Sequence, residues 1–335
     1  MSQAPSSARK DAAPARPVGV EPSIDVEPIL VARGVCKRFG ITQALDNVSV
    51  EFRPAEVHAL MGENGAGKST LGKVISGLHK QDSGVITLDG RELRPGSIDD
   101  AFNAGVRIVH QELAQCPNLS VAENLCLHDI PRTRFGSIDR EAMRRRAARL
   151  VHRLEPSIDV ESELGALSPG HRQICQIAAS LDEEARPGAH PARVIVFDEP
   201  TSSLSISETQ RLLEIIRELA TQGLTIIYVS HRMSEIFACC DRVSVLRDGK
   251  YVATSNVKDI SEPDLVEQMI GRRLSTPDAK GQTPGGEAAA LRDLTEAAQH
   301  PIDTDAPPRL EVRGLSSPGK IHDVSLQVRP GEVLG

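Results

Sequence analysis

The stretch Gly62-Glu63-Asn64-Gly65-Ala66-Gly67-Lys68-Ser69-Thr70 narrows the choice of fold more than any other part of the chain. Its spacing fits G-x-x-x-x-G-K-[ST], a loop whose backbone N–H groups cradle nucleotide phosphates. The glycines reach backbone angles that turn successive N–H groups inward, which makes an anion-binding nest at the head of a helix. Lys68 adds a point charge for the β- and γ-phosphates, and Ser69 offers its hydroxyl to Mg²⁺. Such a pattern arises by accident in about one per cent of chains this long, so the flanking residues decide. Val57-His58-Ala59-Leu60-Met61 reads as a buried strand, and Leu71 to Ser76 as a helix stopped at Gly77. Strand, loop and helix are in the order the chemistry needs, and a nucleoside triphosphate is the first ligand to consider.

A length of 335 residues allows two domains, and a formal net charge of −7 argues against a broad nucleic-acid-binding surface. The cysteines, Cys36, Cys116, Cys126, Cys175, Cys239 and Cys240, show no C-x-x-C spacing and read as reduced packing residues of a cytosolic protein. No apolar run is long enough to span a bilayer, so a membrane role would come through a partner.

Residues 1–28 are rich in Ala, Pro and Ser and read as a disordered tail. Strand-like, turn-rich sequence follows, including the alternating Val48 to Phe52 and the run Val85 to Leu88. Residues 113–165 read as mainly helical, with Met143, Ala147, Leu150, Val151 and Leu154 on one face of a helix from Asp139 to Leu154. Arg144, Arg145 and Arg146 on its other side read as a solvated face, with contact to an acidic partner as the alternative. A helix at 170–181, a strand at Val194 to Phe197, a helix at 206–222 and a strand at Thr225 to Ser230 then give α/β alternation. Residues 274–308 are broken by Pro and Gly and read as a linker.

The end of the chain repeats its beginning. Ile321 to Gly335 aligns without gaps on Leu45 to Ala59, matching Val324, Ser325, Arg329, Pro330, Glu332 and Val333 with Val48, Ser49, Arg53, Pro54, Glu56 and Val57. Residues 309–335 are therefore expected to be the truncated opening of a second copy, stopping before a second phosphate loop.

The run Val194 to Phe197 delivers Asp198 and Glu199 at a strand's C-terminal end, where α/β sheets bind ligands. Asp198 is expected to hold Mg²⁺, directly or through water. Glu199 is expected to act as general base on the attacking water, or to orient it.

Taken together, the loop at Gly62, Gln111 in Val109-His110-Gln111-Glu112-Leu113, Leu167-Ser168-Pro169-Gly170-His171, Asp198-Glu199-Pro200-Thr201 and His231 resemble the motifs of the ATP-binding-cassette ATPases, in the family's order. The resemblance covers residues 29–273 as one cassette. It implies an α/β P-loop NTPase core with a mainly helical signature subdomain and an antiparallel β subdomain. It further implies that Phe39 stacks on adenine and that Gln111 contacts Mg²⁺ and water, senses the γ-phosphate and links to the helical subdomain. Ser168 and Gly170 would close over ATP held by a second cassette, and His231 would contact the γ-phosphate and position water with Glu199. Pro169 and His171 stand where many members have Gly and Gln, and Leu181 to Arg193 is longer than usual.

Within the family, His110-Gln111-Glu112-Leu113 and Ser230-His231-Arg232-Met233-Ser234-Glu235-Ile236-Phe237 look most like ATPase subunits of bacterial monosaccharide importers of the ribose and galactose type. That implies ATP and Mg²⁺ as cofactors and a peripheral place on the cytoplasmic face of the inner membrane. The implied partners are transmembrane permeases, a periplasmic sugar-binding protein fed through them, and a second cassette or a homodimer, with no nucleic acid. Two alternatives stand beside it: a soluble tandem-cassette ATPase acting on ribosomes or DNA, and a truncated chain that binds ATP with little turnover. The first calls for a charged helical linker or coiled coil, and residues 274–308 show no heptads.

Overall fold

The structure, a computed structural model, describes residues 26–109, 115–127, 129–185, 188–271, 307–317 and 321–330. The expected tail up to residue 25, the expected linker up to residue 306, and Gln111 lie outside the described residues. In chain order the elements are β1 (Leu30–Phe39), β2 (Thr42–Phe52), β3 (Val57–Met61), α1 (Lys68–Ile75), β4 (Ser83–Leu88), β5 (Arg91–Glu92), α2 (Ile98–Ala104), β6 (Val106–Val109), α3 (Val121–Leu125), α4 (Arg140–His152), α5 (Pro169–Ser180), β7 (Val194–Asp198), α6 (Ile206–Thr221), β8 (Thr225–Val229), α7 (Met233–Cys239), β9 (Arg242–Arg247), β10 (Lys250–Asn256), α8 (Glu262–Ile270), β11 (Leu310–Ser317) and β12 (Ile321–Val328). They fall into two units, one before the expected linker and one, the β11–β12 hairpin, after it.

In the first unit a six-stranded sheet has the order β10-β9-β3-β8-β7-β6, parallel except for the edge strand β10. Strands β3, β7 and β8 are buried at every position, which is why they read as continuous apolar runs instead of an alternation. An antiparallel sheet of order β2-β1-β4-β5 stands apart from it. Helix α1 fills the space between the sheets: Leu71, Val74 and Ile75 share one core with Leu30, Leu45 and Val48 of the antiparallel sheet and with Val196, Ile227 and Val229 of the parallel one. On the opposite face lies α6, whose Leu212, Ile215, Ile216 and Leu219 recur at helical spacing and are buried. Its start is fixed by Ser205 and Glu208, which satisfy each other's backbone N–H groups in a capping box.

Because the central strands are parallel, their C-terminal ends lie on one edge of the sheet. Met61, Asp198 and Val229 end β3, β7 and β8, which are neighbours, so the loops that follow share that edge. On β3, the fully buried His58 is held between Glu56 Oε1 at 2.8 Å and Ser244 Oγ at 2.7 Å. Burial pushes its pKa down against the pull of Glu56, so the ring is neutral near pH 7.

The stretch expected to be mainly helical is less so. Between residues 115 and 165 only α3, α4 and a short 3₁₀ turn at Leu164–Ala166 are helical among the described residues. Before α4 the chain makes a tight loop, with Thr133 N–H donating to the Ser137 carbonyl at 2.8 Å, and Asp139 then caps the helix through the Ala142 N–H at 2.9 Å. Pro117, Pro131 and Pro156, together with Gly136, interrupt any longer helix. The apolar face of α4 is as the periodicity predicts, with Met143, Ala147, Val151 and the following Leu154 buried.

The basic run on α4 is not one solvated face. Arg144 and Arg145 are exposed, but Arg146 is only 4% exposed and pairs with buried Asp182 at 2.7 Å and with Asp129 at 3.1 Å. Position 146 therefore faces the segment after α5, and the guanidinium ties the longer 181–193 connection to α4. A buried guanidinium persists only when its charge is met this way.

The β11–β12 hairpin repeats β1–β2 in three dimensions. Leu30 pairs with Phe52, Ala32 with Val50, Val35 with Val48 and Lys37 with Leu45, while Leu310 pairs with Val328, Val312 with Leu326, Leu315 with Val324 and Ser317 with Ile321. The same irregularity falls at the same place: Gly34 and Gly314 both have positive φ, and each donates its N–H to a serine, Ser49 or Ser325, at 2.9 Å. Leu30, Val35 and Val48 are fully buried in the first copy, whereas Leu310, Leu315 and Val324 are exposed in the second.

Candidate active site

The loop between β3 and α1 has the form the spacing predicts. Gly67 caps α1 at φ 100°, and a side chain there would meet the Ala44 carbonyl oxygen at 2.5 Å. At Gly62 (φ 154°) an added Cβ would lie 2.1 Å from the Leu246 carbonyl oxygen. Both positions need glycine, one for handedness and contact together, the other because a neighbouring strand's backbone passes so close. Glu63, Asn64 and Gly65 are exposed at the loop's tip and Ala66 is buried beneath it, while Ser69 and Thr70 are half-buried on the first turn of α1. The first turn's free N–H groups thus open onto the sheet edge.

Lys68 is 4% exposed, and its ammonium donates to the carbonyls of Gly62 and Glu63, both at 2.9 Å. Burial pushes its pKa down, while the charges of Glu199 and Asp198 pull it up. The cation is therefore parked on its own loop beside two carboxylates, within the cradle that a phosphate would occupy.

Asp198 ends β7 and is 5% exposed. Its Oδ1 is buried without a hydrogen-bond partner, and its Oδ2 lies 3.9 Å from the Lys73 ammonium of α1. An orphaned buried carboxylate oxygen on the strand packed against α1 fits a divalent cation shared with a hydroxyl of that helix and with phosphate oxygens. Asp198 and Ser69 are the described residues that would hold Mg²⁺.

Glu199 follows at φ 49°, a left-handed conformation unusual for a non-glycine residue, with its N–H donating to the Val229 carbonyl at 3.0 Å. Strain of this kind persists where the surroundings over-determine the backbone, typically at functional sites. The turn aims Glu199 Oε1 at His231 Nδ1, 3.3 Å away, and the His231 ring is 47% exposed. A carboxylate and an imidazole thus meet at the edge of the sheet beside Lys68. Phe39, at the end of β1, is exposed, not a core residue, with its ring edge-on to His79 at 5.2 Å between centroids. The Lys37 ammonium stands over the Phe39 ring, 5.1 Å from its centroid, so a planar ligand would have to take the other face.

Ser168 and Gly170 sit elsewhere. Ser168 caps α5, accepting from the His171 N–H at 3.3 Å, and is exposed. Among the described residues no hydrogen bond or ion pair joins either to the 62–70 loop. Gly170 donates its N–H to Glu208 Oε1 at 3.0 Å, and a Cβ at Gly170 would meet Glu208 at 2.8 Å. Glu208 is a partner of Gly170 that sequence reading missed. Its half of the capping box is legible as Ser205-x-x-Glu208, but its reach to Gly170 crosses 38 positions. The Ser205 N–H, then the hydroxyls of Ser168 and Ser205 and the Gly170 N–H, hold its carboxyl at about 2, against the usual 4.5. A carboxyl with a depressed pKa adds stability that is complete above 4.5 and fades as pH falls toward 2. In thermal melts across that window the wild type should therefore lose more stability than Glu208→Gln, although solvent screening keeps the difference small.

Matches to known proteins identify the family. The family model described as ABC transporter matches residues 45–202. The chain carries an ATP-binding cassette of that family. Ribose import ATP-binding protein RbsA of Chromobacterium violaceum is 42% identical over 304 residues, covering 90% of this chain and 55% of the relative. A putative ribose/galactose/methyl galactoside import ATP-binding protein of Rhizobium meliloti is 38% identical over 309 residues, with 92% and 55% covered. The chain thus spans about half the length of these curated relatives. Among solved structures, a nucleotide-free ATP-binding cassette from an ABC transporter matches with TM-score 0.62 at 25% identity, covering 73% of this chain and all of that one. The ADP conformation of another such cassette matches with TM-score 0.63, also at 25% identity, covering 74% of this chain and all of that one. The cassette therefore has the P-loop NTPase core expected from its motifs, with an antiparallel β subdomain and the helices α3 to α5.

Proposed function

We propose that this cassette binds and hydrolyses ATP to drive import of a ribose- or galactose-like monosaccharide through separate membrane permeases. The observation that carries the hydrolytic part is the meeting of Lys68, Asp198, Glu199 and His231 at one edge of the parallel sheet. The extended similarity to ribose import ATP-binding proteins supports the transport part.

In this reading Phe39 stacks on adenine, the N–H groups of residues 62–70 bind the phosphates, and Lys68 exchanges its loop carbonyls for β- and γ-oxygens. Ser69 and Asp198, with Gln111, would hold Mg²⁺, which would supply positive charge to offset that of those oxygens. Glu199 accepts a proton from the attacking water or holds its lone pair in line, and His231 fixes the water's other side. Because no hydrogen bond or ion pair among the described residues joins Ser168 or Gly170 to the loop of their own cassette, they suit the closing of a second one, in another domain or another copy, in a head-to-tail pair. No described helix is long and apolar enough to cross a membrane, so the proposed place on the cytoplasmic face of the inner membrane rests on partners. A cavity of about 460 Å³ lined by Leu127, Ile130, Ile138, Met143 and Arg140 opens on α3 and α4, away from the phosphate loop, and offers such a partner a surface. A periplasmic sugar-binding protein would feed the permeases.

The test is uptake of labelled ribose and galactose by bacteria whose own importer ATPase is deleted, complemented with the reading frame that contains this chain. Restored uptake that is lost with Glu199→Gln is the expected result. Failure to restore either sugar, with ATP turnover intact, would defeat the import reading and leave the ATPase reading standing.

A further inference from the structure

One buried carboxylate in the molecule has no part in the mechanism so far, and it touches both loops that carry the reacting side chains. Glu235, on α7, is 3% exposed. Its Oε1 accepts from the Thr201 hydroxyl at 2.7 Å, and its Oε2 accepts from the hydroxyls of Tyr228 and Ser230, both at 2.8 Å. The Arg232 guanidinium approaches Oε1 at 3.4 Å. Thr201, Tyr228 and Ser230 are themselves buried.

The donors are placed so that each reports on a different part of the site. Thr201 stands two positions after Glu199, inside the turn that the Ser202 N–H closes on the Glu199 carbonyl at 3.4 Å. Ser230 adjoins His231, and its hydroxyl oxygen also accepts from the Arg232 N–H at 3.0 Å. Tyr228 lies within β8, the strand whose Val229 carbonyl holds the Glu199 N–H. A carboxylate is the group that suits this place, because it accepts only and has room for several donors, whereas an amide would set its own N–H groups against the hydroxyls. Burial, then the Glu235 charge, pushes the Tyr228 ionisation far up, so its hydroxyl stays a donor.

We propose that Glu235 is a positioning residue: by gathering Thr201, Ser230 and Tyr228 it fixes the turn at Glu199 against the loop at His231 and so sets the 3.3 Å approach between them. The kinetic consequence rests on the ATPase reading above. The structural one does not. Misplacing a reacting group by a fraction of an ångström to one ångström costs roughly ten- to a hundredfold in rate, with little effect on ground-state nucleotide binding.

The experiment labels the histidine rings with ¹⁵N and reads the His231 ring resonances, assigned by their absence in His231→Ala. Thr201→Val and Tyr228→Phe each remove one hydroxyl with little change of shape, and Glu235→Gln is the conservative replacement at the hub. Ser97→Ala, which removes the helix cap of α2, controls for loss of a hydroxyl elsewhere. In folded protein without nucleotide, Thr201→Val and Tyr228→Phe should move the His231 resonances and Ser97→Ala should not. With Mg-ATP, the same two variants should lower kcat roughly tenfold or more at a KM within about twofold of wild type. In a His231→Ala background the further loss from Thr201→Val should vanish, since coupled groups are not additive. Glu235→Gln should retain more activity than Glu235→Ala. Unchanged His231 resonances in folded Thr201→Val, or a loss of the same size with and without His231, would overturn the proposal. A wild type that binds Mg-ATP without turning it over would count against the hydrolytic reading alone, and the resonances would still decide the role of Glu235.

Discussion

Lys68→Ala should lose Mg-ATP affinity by about a hundredfold to a thousandfold while the nucleotide-free protein melts no lower than wild type. The binding loss follows from charge. Hydrogen bonds to charged groups contribute about 1.5–3 kcal/mol each, and Lys68 has two to transfer from the carbonyls of Gly62 and Glu63 to phosphate oxygens; the carbonyl bonds given up offset part of that sum and leave about 3–4 kcal/mol, a hundredfold to a thousandfold. The melting result follows from burial, which disfavours the Lys68 ammonium in the folded chain. Removing that ammonium removes a desolvation cost along with two hydrogen bonds to loop carbonyls. Binding and folding should therefore separate in this variant, by calorimetric titration on one side and thermal melts on the other. ATP affinity equal to wild type would mean that the 62–70 loop is not the phosphate site.

Glu199→Gln should behave in the opposite way, holding ATP as tightly as wild type but hydrolysing it roughly a hundred to ten thousand times more slowly, the range of a general base or a water-orienting group. Gln fits the same left-handed backbone no worse than Glu, keeps the side chain's length, and retains an oxygen to face His231 Nδ1, now 3.3 Å from Glu199. What it lacks is a carboxylate to take or direct a proton. Phosphate release under single-turnover conditions reads the difference. A Glu199→Gln rate within about threefold of wild type would remove Glu199 from the chemistry.

Much of this candidate site is legible in the sequence because its parts are local. The strand at 57–61, the glycines and Lys68 are consecutive, and the backbone angles at Gly67 and the contact at Gly62 are what that spacing demands. The strand at 194–198 was legible for a similar reason, since a fully buried parallel strand reads as an unbroken apolar run. Bonds between distant positions were not legible. Nothing near Arg146 announces Asp182, so a run of three arginines read as one face when its third member turns inward. Glu208 advertises its cap but not its second bond to Gly170, and Glu235 gathers donors from two different loops. The stretch from 113 to 165 is less helical than its apolar spacing suggests, because its prolines and Gly136 impose turns that only the tertiary contacts then organise.

On the proposed reading, the cassette's own loop, carboxylates and histidine form half of a site, closed by Ser168 and Gly170 of another cassette. Light scattering of Glu199→Gln with and without saturating Mg-ATP tests it most directly. The expected result is a doubling of mass that appears only with Mg-ATP and disappears when Lys68→Ala is added. A Glu199→Gln protein that stays monomeric under saturating Mg-ATP, alongside a wild type that hydrolyses ATP as a monomer, would contradict it.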